Sequence, residues 1–440
     1  MTVDPARQVA CRRCGSLLNR SLDVDTWQAR FTHPARQAED HEPDPVPADQ
    51  TDTVYACDFC SDPHIVYTFH TSRPIQIIVV TSTDQLVQDY GSDWSACLDC
   101  ADRVHARDLT CLHHRIMDVG PPFDPEIADR LHAMLAAVLA TLQPGRTLAS
   151  IGRWSPAPLP AAILPKVRDR LTRLLRGADG LPIDLNDAHL RAQVTAGLDA
   201  ARLYWIDDEF TDLVRHAAAS LPRTAFTPAD APAPHGLLAW AQPVGDRADQ
   251  VAASWSSGPD GTRIVGYRSI GAGLPPAALQ RLREQVGWLV PRHTVTVEPG
   301  QIIDAASPAG SLIASWLLID QKLAETAPTP VDGSIRKAYR RAGRPAPEVR
   351  LVRIRGAAPV RECRAEHQAG DPSGREHQYR WWVRGHWRNQ PHGPGRSQRR
   401  LIYIDPQVRG PLDKPIKADT TVRVLRDAKP GSVGSSGNER

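Results

Sequence analysis

Three Cys-x-x-Cys pairs lie within the first 100 residues: Cys11/Cys14, Cys57/Cys60 and Cys97/Cys100. Seven of the eight cysteines of this 440-residue chain precede residue 112. Two thiols separated by two residues share one tight turn and aim both sulfurs at a common point. That is half of the tetrahedral shell a zinc ion takes, with about 2.3 Å to each sulfur. Structural disulfides in an exported protein would need a leader segment, and a thioredoxin-type redox pair would need a strand before the first pair and a helix after it. The opening Met-Thr-Val-Asp-Pro has no basic stretch followed by an apolar one, and no apolar run approaches the ~18 residues of a membrane span. A reducing cytoplasm, no membrane association and metal-bound thiolates are the expectation.

The second and third pairs belong together. Cys57-Asp-Phe-Cys60 reads as a knuckle, residues 65–70 and 75–81 as the two strands of a hairpin, and Ser95 as the cap of a helix whose first turn carries Cys97 and Cys100. Knuckle, hairpin, helix is the order of a treble-clef zinc fold, and a helix N-terminus favours a thiolate. The first pair needs two more ligands. His33 and His41 complete a Cys-x2-Cys-x18-His-x7-His pattern, with Asp40 or Glu42 available to orient an imidazole; Cys111, His113 and His114 compete for the same role. One zinc site is expected from the four cysteines and a second from Cys11, Cys14, His33 and His41. Four protein ligands leave no position for water, so both are folding devices rather than catalytic centres.

With 41% hydrophobic and 23% charged residues, the chain excludes wholesale disorder, a collagen-like repeat and a coiled-coil rod. Its length allows about three domains. Proline-rich stretches and shifts of period divide it into a knuckle (1–50), a treble-clef module (51–120), a helical region (121–222), an α+β domain (223–330), a basic β-rich module (331–430) and a disordered tail (431–440). Helices are expected at 186–203, 209–221, 275–286 and 309–325, and strands at 236–240, 251–255 and 263–267, the last two joined by Gly258-Pro-Asp-Gly261. The fold class is thus multidomain α+β, with an N-terminal zinc module, a helical middle and an antiparallel-β basic end. No phosphate-cradling Gly-rich loop, Ser nucleophile elbow or His-Glu-x-x-His is present, which counts against the commonest nucleotide-dependent and hydrolytic enzymes.

Only 6 of the 53 basic residues are Lys, so an Arg-rich stretch carries less weight here than elsewhere. The distribution of charge is the stronger signal. Residues 331–440 hold 24 Lys and Arg against 11 Asp and Glu, a net +13, whereas residues 1–330 carry a net −10. Such polarity favours a polyanionic partner, DNA or RNA, for the basic end, and equally allows the two ends to attract each other.

A basic helix at 334–343 leads to a strand at 349–355, and Tyr379-Arg-Trp-Trp-Val-Arg-Gly-His-Trp-Arg388 follows. Read as one strand, 379–388 turns Tyr379, Trp381, Val383 and Trp387 to a core face. Arg380, Trp382, Arg384, His386 and Arg388 then form a cationic face that Arg396, Arg399 and Arg400 extend. Arginine forks fit phosphate and an indole stacks on a base, so this face is a candidate nucleic-acid platform; the alternative is an ordinary solvated face of a sheet. If the module is instead an enzyme, His386 is the catalytic candidate, an acid or base of a metal-independent RNase-like toxin with Arg384 and Arg388 stabilising phosphorane charge. A third reading is an adaptor whose zinc knuckles hold a protein partner.

Tyr55-Ala-Cys-Asp-Phe-Cys-Ser-Asp-Pro63, Asp93-Trp-Ser-Ala-Cys-Leu-Asp-Cys100, His41-Glu-Pro-Asp-Pro-Val-Pro47 and Arg380-Trp-Trp-Val-Arg-Gly-His-Trp-Arg-Asn-Gln390 resemble segments of uncharacterised proteins of actinobacteria and of their phages or mobile elements. The resemblance implies a cytoplasmic, mobile-element-associated protein and supports His33 and His41 as companions of the first Cys pair. It implies no activity.

Overall fold

A computed structural model describes residues 8–23, 26, 28–33, 40–53, 55–80, 85–120, 124–149, 154–245, 249–355, 379–409 and 414–415. The tail expected at 431–440 lies outside them. The chain divides into two compact units, Met1–Gly356 and Ala357–Arg440. The fold is mixed α/β. Among the described residues the helices are α1 (Leu98–His105), α2 (Leu109–Val119), α3 (Pro125–Thr141), α4 (Leu164–Arg176), α5 (Ala188–Asp199), α6 (Asp208–Ala219), α7 (Pro276–Gln285), α8 (Gly310–Ile319) and α9 (Gly333–Arg341). Asp108, Asp124, Asp187, Asp207 and Asp332 begin α2, α3, α5, α6 and α9, each carboxylate accepting a first-turn amide that the helix itself leaves unpaired.

The first unit is organised on a seven-stranded sheet. Its order is Leu289–Val297, Gly261–Ser269, Gln250–Gly258, His235–Val244, Arg202–Ile206, Val349–Ile354, Ala324–Thr329. Strand Arg202–Ile206, fifth in that order, runs parallel to both neighbours and every other pairing is antiparallel. Strand His235–Val244 is apolar at nearly every position because both its faces are covered. Leu237 and Ala239 pack into the core shared with α4 and α5, while Trp240 points the other way and its Nε1 donates to Ser315 Oγ on α8 at 3.1 Å. On that second face Trp255 sits 5.0 Å from Trp316 and 5.9 Å from Tyr204, ring centre to centre, and its indole N–H donates to the Ala233 carbonyl at 2.7 Å.

The metal-ligand region packs against the same core. One buried cluster runs from Cys57 and Phe59 through Trp94, Leu112 and Leu135 to Leu198, Leu237 and Val349. Strand Ile65–His70 pairs with Asp93–Cys97, and a separate four-stranded sheet holds Ala29–Thr32, Asn19–Asp23, Gln85–Asp89 and Gln76–Val80.

Several expectations are corrected. Residues 65–70 and 75–81 do not pair with each other; the second run joins the four-stranded sheet, because alternation marks a strand without naming its neighbour. Ser95 lies inside strand Asp93–Cys97, and Cys97 itself is the N-cap of α1. The helix expected to reach residue 203 ends at Asp199, and the β-favouring run Arg-Leu-Tyr-Trp-Ile then forms the strand Arg202–Ile206. The helix expected over 309–325 stops at Ile319, and 324–329 is an edge strand. Val349–Ile354, grouped by charge with the basic end, is an interior strand of the main sheet.

In the second unit the run 379–388 is not one strand. Trp381–Val383 pairs with Gln407–Arg409, and His386–His392 forms a hairpin with Gln398–Ile404. The break falls at Gly385, where an added Cβ would overlap the Tyr403 hydroxyl.

Gly236 shows how tightly the main sheet is packed: a Cβ there would enter the ring of Trp255, which is held by the stacked Tyr204 ring, the T-shaped contact with Trp316 and its own N–H. Gly236→Ala is expected to destabilise the chain by about 1–3 kcal/mol through overpacking. Urea denaturation of the full-length protein checks this, and an unchanged midpoint would disprove the assigned contact.

Candidate metal centres and the basic hairpin

Each of the first two cysteine pairs sits on the same backbone device. Cys11 N–H donates to the Ser16 carbonyl and Gly15 N–H to the Cys11 carbonyl, both at 2.8 Å; Cys57 N–H donates to Asp62 O and Ser61 N–H to Cys57 O, also at 2.8 Å. Gly15 (φ 73°) and Ser61 (φ 61°) occupy equivalent left-handed positions, which turn the chain sharply enough to bring two sulfurs together. The second knuckle is clamped to its partner strand, Asp58 N–H donating to Ser95 O at 2.9 Å while Ser95 N–H donates to the Asp58 carboxylate.

Two tetrads result, Cys11/Cys14/His33/His41 and Cys57/Cys60/Cys97/Cys100, with the ligand atoms of each within 4.8 Å of one another. A tetrahedral shell with about 2.3 Å to sulfur and about 2.0 Å to nitrogen has edges of roughly 3.3–3.8 Å. Cys11 Sγ lies 3.3 Å from His41 Nε2, Cys14 Sγ 3.5 Å from His33 Nε2, and Cys60 Sγ 3.6 Å from Cys97 Sγ. His41 Nδ1 faces Asp40 Oδ1 at 3.4 Å, which leaves Nε2 for the centre.

The electrostatics of the sulfurs argue for a cation. Burial pushes the Cys57 thiol up, while the hydrogen bond from Cys100 pulls Cys60 far down and Cys97 to about 6. Contact with Cys57 would lower Cys100 as well, but the sulfurs of Cys60 and Cys97 and burial outweigh it and raise Cys100. Four thiols in one dry pocket cannot all ionise on their own; a divalent ion removes that conflict. In the first tetrad burial opposes ionisation of Cys11. Backbone hydrogen bonds at Asp44, Cys14 and Arg13, together with the His41 ring, nevertheless hold it at about 5. Both tetrads can hold a metal ion, and with four protein ligands each is closed to substrate.

Arg115, on α2, carried no signal in the sequence. Its guanidinium lies 4.0 Å from Cys97 Sγ and 3.2 Å from the Asp99 carboxylate, a cation beside a sulfur cluster that stays anionic even when it binds a divalent ion. The competing ligands fall elsewhere: Cys111 and His114 are exposed and His113 half-buried, and none joins either tetrad. Cys111 lies on the first turn of α2.

The basic candidates divide among different elements. By strand alternation His386 and Arg388 share one face of the hairpin with Arg400, whereas Arg399 lies on the opposite face with Trp387 and Tyr403, whose rings meet at 5.2 Å. Arg396 follows the Gly393–Gly395 turn and is exposed. Arg384 is exposed between the two strand pairs, and its carbonyl accepts a hydrogen bond from His386 Nδ1 at 3.1 Å. Arg380 is half-buried, its amide donating to Pro415 O at 2.8 Å; the Trp382 side chain lies outside what is described. No helix among the described residues is long and apolar enough to cross a membrane.

Elemental analysis of the purified chain is expected to find two metal ions per molecule. Cys14→Ser and Cys97→Ser should each remove one. The Cys97 variant should also lose more than about 4 kcal/mol of stability, because its centre lies in the main core. Full metal occupancy in either variant would rule out that tetrad.

Residues 311–410, 100 of the 440, match the model of the AcrVA2-like family, described as an anti-CRISPR type V subtype A2 family. The matched stretch holds most of α8, all of α9, strands Ala324–Thr329 and Val349–Ile354, and the hairpin. No curated protein and no solved structure matches the chain.

Proposed function

We propose that this chain is a zinc-organised protein of phage or mobile-element origin that acts in the cytoplasm against a type V CRISPR system. It works by stoichiometric binding rather than turnover, and nucleic acid is among the partners of its basic end. The match of residues 311–410 to an anti-CRISPR family carries the biological half of this reading. The physical half is supported by two four-ligand groups. One set of four thiolates and one of two thiolates with two imidazoles, all ligand atoms of each within 4.8 Å and single edges of 3.3, 3.5 and 3.6 Å, favour zinc, and their ligands have a structural role, leaving no open position for a reacting group. The hairpin face of His386, Arg388 and Arg400 is the proposed contact for phosphate in the second unit.

A plasmid-interference assay tests the biological claim. Bacteria carrying a type V nuclease and a matching guide should clear a target plasmid, and co-expression of this chain should raise plasmid retention by at least tenfold. Retention should fall back when Cys60→Ser removes the metal centre. Clearance unaffected by abundant soluble protein would overturn the reading.

A further inference from the structure

Helix α9 is strongly one-sided. Only Ile335 and Tyr339 are buried; Arg336, Lys337, Arg340 and Arg341 are all exposed, and among the described residues none of the four forms an ion pair with a carboxylate. Arg336 and Arg340, and likewise Lys337 and Arg341, are one helical turn apart. They form two parallel pairs of cationic side chains whose Cβ atoms are about 6 Å apart along the helix, a spacing that long, flexible side chains can match to neighbouring phosphates on an extended strand.

The pairs lead toward a cleft of about 470 Å³ where α9 ends. Arg168, Arg202, Arg344 and Arg350 line it, against the carboxylates of Asp199 and Glu348. Both acids are already engaged, Asp199 by Arg176 and Glu348 by Arg350. Arg202 is exposed at the start of strand Arg202–Ile206.

Arg344 is held by two partners although its side chain is 42% exposed. Its guanidinium lies 4.0 Å over the Tyr339 ring, and both its Nη atoms donate to the Asp169 carboxylate, at 2.7 and 3.1 Å. Tyr339 is itself fixed from behind, its hydroxyl accepting from buried Arg168 at 2.7 Å. The result is a flat cation of set orientation beside the cleft, the kind of plane on which a nucleobase stacks. A duplex keeps its bases paired and has no base to place there. A peptide acid could use the charge but not the plane.

We propose that the exposed face of α9 and the adjoining Arg344 cleft bind single-stranded nucleic acid, the helix engaging consecutive phosphates and the cleft receiving an unstacked base. This goes beyond the hairpin contact, which lies in the other unit and uses different residues.

Fluorescence anisotropy with labelled 20-nucleotide single-stranded RNA and DNA, the corresponding duplexes, and polyglutamate as competitor tests it on the full metal-loaded chain. Wild type is expected to bind single strands at least tenfold more tightly than duplex. The fourfold variant Arg336→Glu, Lys337→Glu, Arg340→Glu, Arg341→Glu should weaken binding by more than 100-fold and lower the log–log salt slope by about 2–3. Arg344→Lys, which keeps the charge and removes the plane, should cost about five- to tenfold. Either sugar supports the proposal, and the stronger of the two names the ligand. Binding by the fourfold variant within twofold of wild type overturns it, as does competition by polyglutamate equal to that by RNA. If Arg388→Glu with Arg400→Glu abolishes binding and the α9 variant does not, the hairpin reading stands and this one fails. No binding by wild type at low salt removes both.

Discussion

Four sulfur atoms brought to one point inside apolar surroundings create a demand that packing alone cannot satisfy, because their ionisation is mutually repulsive and solvent is excluded. A divalent cation is the simple solution, and the first unit is arranged around making that solution available. Left-handed turns at Gly15 and Ser61 bend the knuckles, and Cys97 is the N-cap of α1, which places Cys97 and Cys100 at the positive end of the helix dipole. The cysteines are part of the core as well as its pins: Cys57, Cys97 and Cys100 are at most 3% exposed and belong to the same buried cluster as the central sheet.

Magnitudes say what joins that metal-ligand region to the sheet. Arg281 on α7 reaches Asp99 and Asp102 on α1, but with 44% of its side chain exposed such pairs contribute at most about 1 kcal/mol each. Burying side chains such as Phe59, Trp94, Leu112 and Leu135 contributes about 1.5–3 kcal/mol apiece. Apolar contact therefore carries the junction, and the ion pairs set its register.

What was legible in the residues was local. Cys-x-x-Cys spacing announces itself over four positions, and His33 and His41 could be matched to Cys11 and Cys14 because an unfilled shell asks for ligands of known kind. Most helices of the middle, the strands around 236–267 and the turn Gly258–Gly261 followed from period and turn chemistry. Partner choice was not legible. The runs 65–70 and 75–81 read as strands, and the strands found there, Ile65–His70 and Gln76–Val80, lie in different sheets, since alternation reports a half-buried surface and nothing about its neighbour. Arg115 gave no sign because its role depends on a helix returning past Cys97. Charge was legible as a total and misleading as a location. The basic segment spreads over α9, an interior strand of the main sheet and a hairpin of the second unit, and Gly385 breaks the single strand that an uninterrupted alternation suggested.

The interior strand Arg202–Ile206 lies between His235–Val244, close behind it in the chain, and Val349–Ile354, which arrives more than 140 residues later. A nascent chain leaving the ribosome can therefore dock one flank of that strand early but must leave the other bare until almost the whole first unit has been made. During that interval an apolar, unpaired β edge is open to water and to other chains. The rate of synthesis through residues 207–349, more than any local propensity, sets how long this intermediate is exposed to misassembly.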